Sequence, residues 1–277
     1  NMTTYASPNN VFNGSDYLAI KAVNVATSAA AQRWTRLRTG NDKRTWGTTA
    51  DDFVNTDRVI VISPGTSDAT RQSLVVSGAW WTTYGNTGGF APADAAETRF
   101  IYGIDPDTDL RMPFNRADYY IWRAGTTVAN DGVPDRCALR TGILRKAVIA
   151  HADGDRIPLP LLDCVADMQV TFWMDTDGDG DIDWSPSDDI SSGLTAQQIR
   201  EQVREVRVYI IAHEGQKDIT YDFSMGDTRE YLSTTEVLDA NSRAINFVNL
   251  KTLVGDPDYK YYRWKLYTLV VKPNNLR

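Results

Sequence analysis

Runs rich in β-branched and aromatic residues recur along most of the chain, and they constrain its fold more than any other feature. Such residues favour strands, and turns rich in Gly, Asn, Asp and Pro separate the runs. The predicted strands are 16–23, 58–62, 73–81, 98–104, 117–124, 143–151, 165–173 and 261–271. Within 165–173, Met168, Val170 and Phe172 fall on one face of the strand. The sequence therefore predicts a β-rich chain with mainly antiparallel pairing.

One short helix is predicted at about 195–205. Thr195 and Gln198 match a capping box, in which the two residues satisfy each other's free amides. Ile199 and Val203 follow at helical spacing, and the pattern then changes to period two. A helix that leads into a strand makes the expected fold class α+β, β-rich, with at least one short helix.

The chain has no internal repeat and no Pro/Ser linker, and its 277 residues allow either one large domain or two smaller ones. The Asn/Gly/Pro-rich stretch near 125–135 is the best candidate for a joint. We therefore predict an N-terminal β-rich lobe at 1–130 and a C-terminal lobe at 131–277.

Aspartate occupies every second position in one short loop, at Asp175, Asp177, Asp179, Asp181 and Asp183. Carboxylates this close repel one another and need a counter-charge. Counted from Asp175, the loop reads D-x-D-x-D-G-x-x-D, with Gly180 at the sharp turn and the Asp181 carbonyl as a further oxygen. This spacing predicts a calcium site.

The sequence does not decide which residue supplies the last ligand of this site. A full EF-hand has a bidentate Glu at position 12, where this chain has Pro186. Asp188 or Asp189 can supply the missing carboxylate, and without it we expect the modest affinity of extracellular modules. The alternative is a solvated acidic turn that holds no ion.

Charge argues against a nucleic-acid partner. The net charge is −7, and the seven aspartates of 175–189 account for that excess. The rest of the chain is nearly balanced and lacks the basic surface that a phosphate backbone requires. No run approaches the roughly 18 to 20 apolar residues that span a bilayer.

Cys137 and Cys164 are the only cysteines, and they form no CxxC motif. A zinc site would need both of them together with His151 and His213. A disulfide in an exported protein is the preferred interpretation. Two free, buried thiols are the alternative.

No catalytic motif stands out, so we do not expect an enzyme. The two histidines lie at the ends of predicted strands, no G-x-S-x-G elbow exists, and no carboxylate pair is singled out. The eight tryptophans are more typical of core and interface anchors than of a sugar platform.

Several stretches, taken together, resemble the type IV pilus minor pilins of the PilW family. They include GSDYLAIKAVNV, TGGFAPADAAETRFIYGIDPDTDLRMPFNRADYYI, CALRTGILRKAV, PLPLLDCVADMQVTFWMDTDGDGDID, LTAQQIREQVREVRVYIIAHEGQKD and YRWKLYTLVVKPNNL. The resemblance runs from about residue 14 to the C-terminus, in the family's order.

This resemblance implies a secreted, non-enzymatic pilus subunit, placed at the filament tip or in the complex that primes assembly. Cys137 and Cys164 correspond to the family's two cysteines, and Asp175 to Asp183 correspond to its Asp-rich loop. The lobe at 131–277 would then be a pilin-like head. The expected location is the extracellular pilus, reached from the periplasmic side of the inner membrane.

The chain departs from the family at its front, where the G-F-T-L-x-E motif and the apolar anchor helix are missing. Truncation, proteolysis of the stalk, or a split pilin with a separate helical chain would each explain this. Expected partners are therefore other pilin subunits and such a helical chain. A tip adhesin with an aromatic patch of Trp80, Trp81 or Trp122 is the alternative function, and an extracellular hydrolase is a third.

Overall fold

The computed structural model of the chain describes residues 15–65, 73–104, 110–124, 132–183, 194–223, 250, 254–255 and 258–273. The strands are β1 Leu18–Ala22, β2 Trp34–Arg38, β3 Asp42–Lys43, β4 Arg58–Ser63, β5 Ser73–Leu74, β6 Thr82–Thr83, β7 Arg99–Gly103, β8 Asn115–Trp122, β9 Gly142–Ile149, β10 Arg156–Met174, β11 Val203–Glu214 and β12 Arg263–Val271. Helix α1 is Ala196–Gln202. Short 3₁₀ helices cover Val23–Val25, Ala30–Gln32, Thr39–Asn41, Tyr84–Phe90 and Tyr259–Tyr261.

Two six-stranded sheets organise these strands. The first has the order β1-β8-β9-β10-β11-β12, and the second has the order β3-β2-β7-β4-β5 with β6 paired to β4. Strands β10, β11 and β12 pair antiparallel, as do the pairs within the second sheet. The predicted α+β, β-rich class is confirmed.

The chain divides into two compact units. The first is Asn1–Leu18, Tyr119–Arg145 and Pro160–Arg277, and the second is Ala19–Asp118 and Lys146–Leu159. The predicted joint lies mostly outside the described residues, and the division at residue 130 stays a prediction.

Each unit has its own buried core. In the first unit, one cluster contains Ala166, Tyr209, Ile211 and Trp264, and another packs Met168 against Ile210 and Ile121. In the second unit, Leu37, Val59, Val61 and Ile101 are fully buried among aromatic side chains. Burial alternates along β2, whereas eight consecutive residues of β10, from Cys164 to Thr171, are buried on both faces of the strand.

The predicted helix and its cap are confirmed. The Thr195 hydroxyl accepts a hydrogen bond from the Gln198 amide at 3.2 Å, and the Thr195 amide donates to the Gln198 side chain at 2.8 Å. Helix α1 then ends at Gln202, and β11 begins at the next residue. The helix is therefore shorter than the predicted range of about 195–205, and Val203, placed at helical spacing by the sequence, is the first residue of the strand.

Three strand predictions need correction. The run 73–81 is strand only at Ser73–Leu74, because Gly78 takes φ +74° and breaks the extended chain. Strand β10 begins at Arg156 rather than at 165. Its exposed first segment contains Pro158 and Pro160, and because proline disfavours strands, the sequence did not predict this segment. Strand β2 was not predicted, although Trp34–Arg38 alternates between exposed and buried positions.

Among the described helices, none combines the length and apolar content that crossing a bilayer requires.

Candidate metal centre

The acidic loop is tied down at both of its ends. It follows β10, and the Asp175 amide donates to the Gln202 carbonyl at the end of α1 over 2.8 Å. At the other end, the Asp183 amide donates to the Met174 carbonyl over 2.8 Å. Residues 175–183 therefore form a closed turn between the strand and the helix.

Asp175 is the anchor of this turn, with only 1% of its surface exposed. One carboxylate oxygen accepts the Gly178 amide at 2.7 Å, and the other accepts the Gly180 amide at 3.1 Å. The Arg204 guanidinium donates to the second oxygen from Nε at 3.0 Å and also from Nη2. The hydrogen bond from Arg204 holds the pKa of Asp175 below its usual value.

Arg204 is a counter-charge that the sequence pattern did not single out. It is the second residue of β11, so helix α1 returns the chain beside the loop it has just left. A basic residue directly after the capped helix was the available signal. The pairing itself spans 29 residues, which a local motif does not reveal.

Two glycines and a series of short hydrogen bonds shape the loop. Gly178 and Gly180 have φ of +81° and +97°, values that residues other than glycine rarely adopt. Asp177 accepts the Asp179 amide at 3.2 Å, and Asp179 accepts the Asp181 amide at 2.9 Å. These turns fix the loop's shape without using all the carboxylate oxygens.

Asp183 closes the far side of the loop. Its carboxylate accepts the Thr176 amide at 2.5 Å and the Thr176 hydroxyl. The hydrogen bond from that hydroxyl lowers the pKa of Asp183, and the negative charge of Asp175 acts against this shift. Carboxylate oxygens of the two residues lie within 4.8 Å of each other, close enough for their charges to repel.

The structure gathers three of the predicted ligands into one cluster. Carboxylate oxygens of Asp175, Asp177 and Asp183 all lie within 4.8 Å of one another. Because calcium binds oxygens at about 2.3 to 2.6 Å, one ion fits between oxygens spaced in this way. Asp179 and Asp181 are exposed and lie outside the cluster. Asp188 and Asp189 lie outside the described residues, so the closing ligand stays a prediction.

Cys137 and Cys164 form a disulfide, with their Cα atoms 4.9 Å apart. The predicted disulfide is thereby confirmed, and the free-thiol alternative is wrong, while export of the chain stays a prediction. Val133 and Ile143 pack around the bond, with Trp122 beside them. Cys164 has φ +58°, next to an irregularity in the pairing of β10 with β11.

His213 lies beside the disulfide and is 5% exposed. Its Nε2 accepts the Ala138 amide at 2.8 Å, which leaves the proton of the neutral ring on Nδ1. Nδ1 has no hydrogen-bond partner in the described part of the chain. Burial lowers the pKa of His213 to about 4. Because both sulfurs are in a disulfide, the three residues lack the thiolates that a metal site needs.

The other residues with possible chemistry are dispersed. His151 is fully buried, and its Nδ1 accepts the Arg111 amide at 3.4 Å. Trp81 lies under the Arg58 guanidinium at 4.7 Å, and Trp122 lies under that of Arg145 at 3.4 Å. Trp80, Trp81 and Trp122 are all only partly exposed, so none is an open aromatic surface of the expected kind. The adhesin alternative stays a prediction.

Comparisons with protein-family models, with curated proteins and with solved structures give no match for the chain. The resemblance to PilW-like pilins therefore stays an expectation from the sequence.

Proposed function

We propose that the chain is a structural subunit of an extracellular type IV pilus-like filament, either a PilW-like minor pilin or the globular partner of a split pilin. The sequence resemblance supports this function, and so does the Cys137–Cys164 disulfide, because disulfides persist mainly in oxidising compartments. The subunit acts by packing against other pilin chains. It performs no catalysis.

One observation carries the proposal: an exposed apolar strip across three neighbouring strands. Val206 of β11 lies opposite Val271 of β12, and Val208 lies opposite Leu269. Phe172 of β10 lies opposite Val206 on its other side and completes the strip. Directly opposed residues of antiparallel strands share a face, so these five side chains form one surface.

The strip remains accessible to a partner. Leu269 is 48% exposed and Val271 is 51% exposed, so the β12 side of the strip is accessible. Val206, Val208 and Phe172 are half-buried, and Val208 also packs against the core cluster of Met168 and Ile210. Single exposed apolar residues are ordinary, whereas a contiguous apolar surface marks a site of protein contact. A subunit that is built into a filament would bury such a strip against its neighbour.

Calcium is the second part of the proposal. Asp175, Asp177 and Asp183 would hold the ion, whose positive charge offsets their mutual repulsion. Since the loop joins β10 to α1, fixing it would also fix the helix and the start of β11. The ion would thus stiffen the sheet that bears the apolar strip.

Immunogold electron microscopy of the native surface filaments tests the filament assignment. We expect an antibody against the chain to label the filaments, along the shaft for a principal subunit or at the end for a tip component. Unlabelled filaments, with the chain recovered only as a free protein, would contradict the assignment.

The strip is tested by the double variant Leu269→Asp/Val271→Asp, which we expect to fold and to be excluded from the filament. The matched control is Val54→Asp/Val76→Asp, which alters two exposed valines of the second unit. Equal incorporation of both variants would show that the strip is not a subunit contact.

A further inference from the structure

The outer face of the second sheet has an unusual composition. Along β2, Thr35 and Leu37 point into the core, so Trp34, Arg36 and Arg38 share the opposite face. On β7, Phe100 lies directly opposite Arg36 and shares that outer face. Arginine and aromatic side chains therefore alternate on a surface away from the core.

The aromatic residues of this face are in contact with one another. Trp34 is 45% exposed, and its ring centroid lies 5.1 Å from that of Trp46 and 6.2 Å from that of Phe100. The Arg44 guanidinium lies over the Trp46 ring at 4.2 Å. Trp34, Arg36, Arg38, Arg44, Trp46 and Phe100 together are termed the arginine–aromatic face.

The three guanidinium groups of this face lack acidic partners. Within the ranges that the structure describes, Arg36, Arg38 and Arg44 form no salt bridge, and Arg36 Nε is buried without a hydrogen-bond partner. Nearby arginines behave differently, since Arg33 pairs with Asp57 at 3.0 Å and Arg99 with Glu97 at 2.8 Å. Because Arg38 and Arg44 are exposed and have no acidic partner in the described part of the chain, the face suits an acceptor supplied from outside.

The chain itself carries the complementary charge. Asp179 and Asp181 are exposed and lie outside the three-carboxylate cluster, and the described residues provide no cation for them, whereas Asp175 is held by Arg204. These two carboxylates at alternate positions thus carry the charge opposite to that of the guanidinium groups. Carboxylates are also the groups that guanidinium binds in bidentate fashion, and Trp and Arg are the residues that dominate protein interfaces.

We propose that the arginine–aromatic face of one copy binds residues 179–181 of the acidic loop of the next copy. The inference rests on the proposed filament function and names one of its subunit contacts. Because the contact joins two different surfaces, it can continue from copy to copy. Ionic contacts of this kind weaken as the salt concentration rises.

A charge-swap experiment tests this contact. The face variant Arg38→Glu/Arg44→Glu and the loop variant Asp179→Arg/Asp181→Arg are each studied alone and then mixed in equal amounts. Both pairs of residues are exposed, and the loop pair lies outside the three-carboxylate cluster. The control is Lys21→Glu/Arg200→Glu, which makes the same change of charge as the face variant at exposed residues elsewhere. Circular dichroism checks folding, and sedimentation velocity measures self-association.

We expect the wild-type chain to self-associate at low salt, and each swapped variant to associate at least about tenfold more weakly. The mixture should regain association, because each acidic face then meets a basic loop and each basic face meets an acidic loop. The control should behave as the wild-type chain does.

Three results would overturn the inference: a monomeric wild-type chain at every concentration, variants that associate normally, or a mixture that stays dissociated. If only the face variant loses association, the face binds a different acidic group. The filament assignment is judged separately by immunogold labelling. Labelled filaments with an ineffective charge swap would reject this contact alone, and a working swap with unlabelled filaments would reject the filament assignment alone.

Discussion

Each end of strand β11 is attached to a different turn. One attachment needs charged side chains, and the other needs a neutral side chain. Near the start of the strand, Arg204 pairs with Asp175 of the acidic loop, and both groups must be ionised. Near its end, His213 accepts the Ala138 amide beside the disulfide, and its ring must be neutral. One attachment is ionic and accessible to a metal ion, whereas the other combines a neutral ring with a covalent bond. Reductant and acid should therefore destabilise the disulfide end of β11, whereas calcium should stabilise its acidic end.

Removing the disulfide should have the largest effect on stability. Cys137 and Cys164 are 27 residues apart, and a crosslink over such a loop contributes about 3 to 4 kcal/mol in the chain-entropy model. We expect the double variant Cys137→Ala/Cys164→Ala to unfold at a clearly lower urea concentration. Wild-type protein in reductant should approach the same midpoint. An unchanged midpoint would mean that the disulfide does not stabilise this end of β11.

Acid should weaken the His213 end next. The unfolded chain takes up a proton at the usual pKa of 6.5, whereas the folded chain does so only near the lowered pKa of about 4. Between these values the unfolded chain binds more protons, so stability is fully present above pH 6.5 and falls as the pH drops towards 4. The full loss is roughly 3 kcal/mol. Urea unfolding at a series of pH values measures it.

The variant His213→Gln isolates this contribution. The glutamine oxygen can still accept the Ala138 amide, but the side chain does not titrate. Around His213, the charge of Arg136 further lowers its pKa, while Tyr262 and Trp264 pack on the ring at centroid distances of 4.5 and 4.9 Å. We expect a flatter stability profile between pH 6.5 and 4 in this variant. A profile as steep as that of the wild-type chain would assign the acid sensitivity to other groups.

Local patterns predicted the acidic end of β11 better than the disulfide end. The spacing of Asp175, Asp177 and Asp183 sufficed to predict that their carboxylates converge, because a turn with glycine at Gly178 and Gly180 brings alternate positions together. The capping box likewise predicted the start of α1. Both signals act over fewer than ten residues, the range in which backbone geometry dominates.

Long-range partners left no such pattern. His213 and Ala138 are 75 residues apart, and the bond depends on how β11 packs against the turn after Cys137. The same holds for Arg204, which is paired through tertiary structure. The exposed first half of β10 was not predicted for another reason. Pro158 and Pro160 usually interrupt strands, but this strand tolerates them at exposed positions.

Calcium should produce the smallest of the three effects, and it should act on the acidic end of β11 alone. With the affinity of extracellular calcium modules, about 10 mM calcium would stabilise the chain by roughly 1 to 3 kcal/mol. Differential scanning calorimetry with calcium and with a chelator measures the shift in melting temperature. We expect Asp177→Asn to reduce the shift, because Asp177 belongs to the three-carboxylate cluster. The matched control, Asp181→Asn, removes an exposed carboxylate outside the cluster and should keep the shift through its backbone carbonyl.

The variant Arg204→Met tests whether Arg204 and calcium compete for the same Asp175 oxygen. Without the guanidinium, the second Asp175 oxygen loses its strongest donor, so the calcium-free chain should melt at a lower temperature. The same oxygen then becomes available to the ion, and the calcium-induced rise should exceed that of the wild-type chain. If chelation changes the melting temperature of neither protein, Arg204 alone neutralises the loop, and the aspartates at alternate positions form a solvated turn held by an arginine.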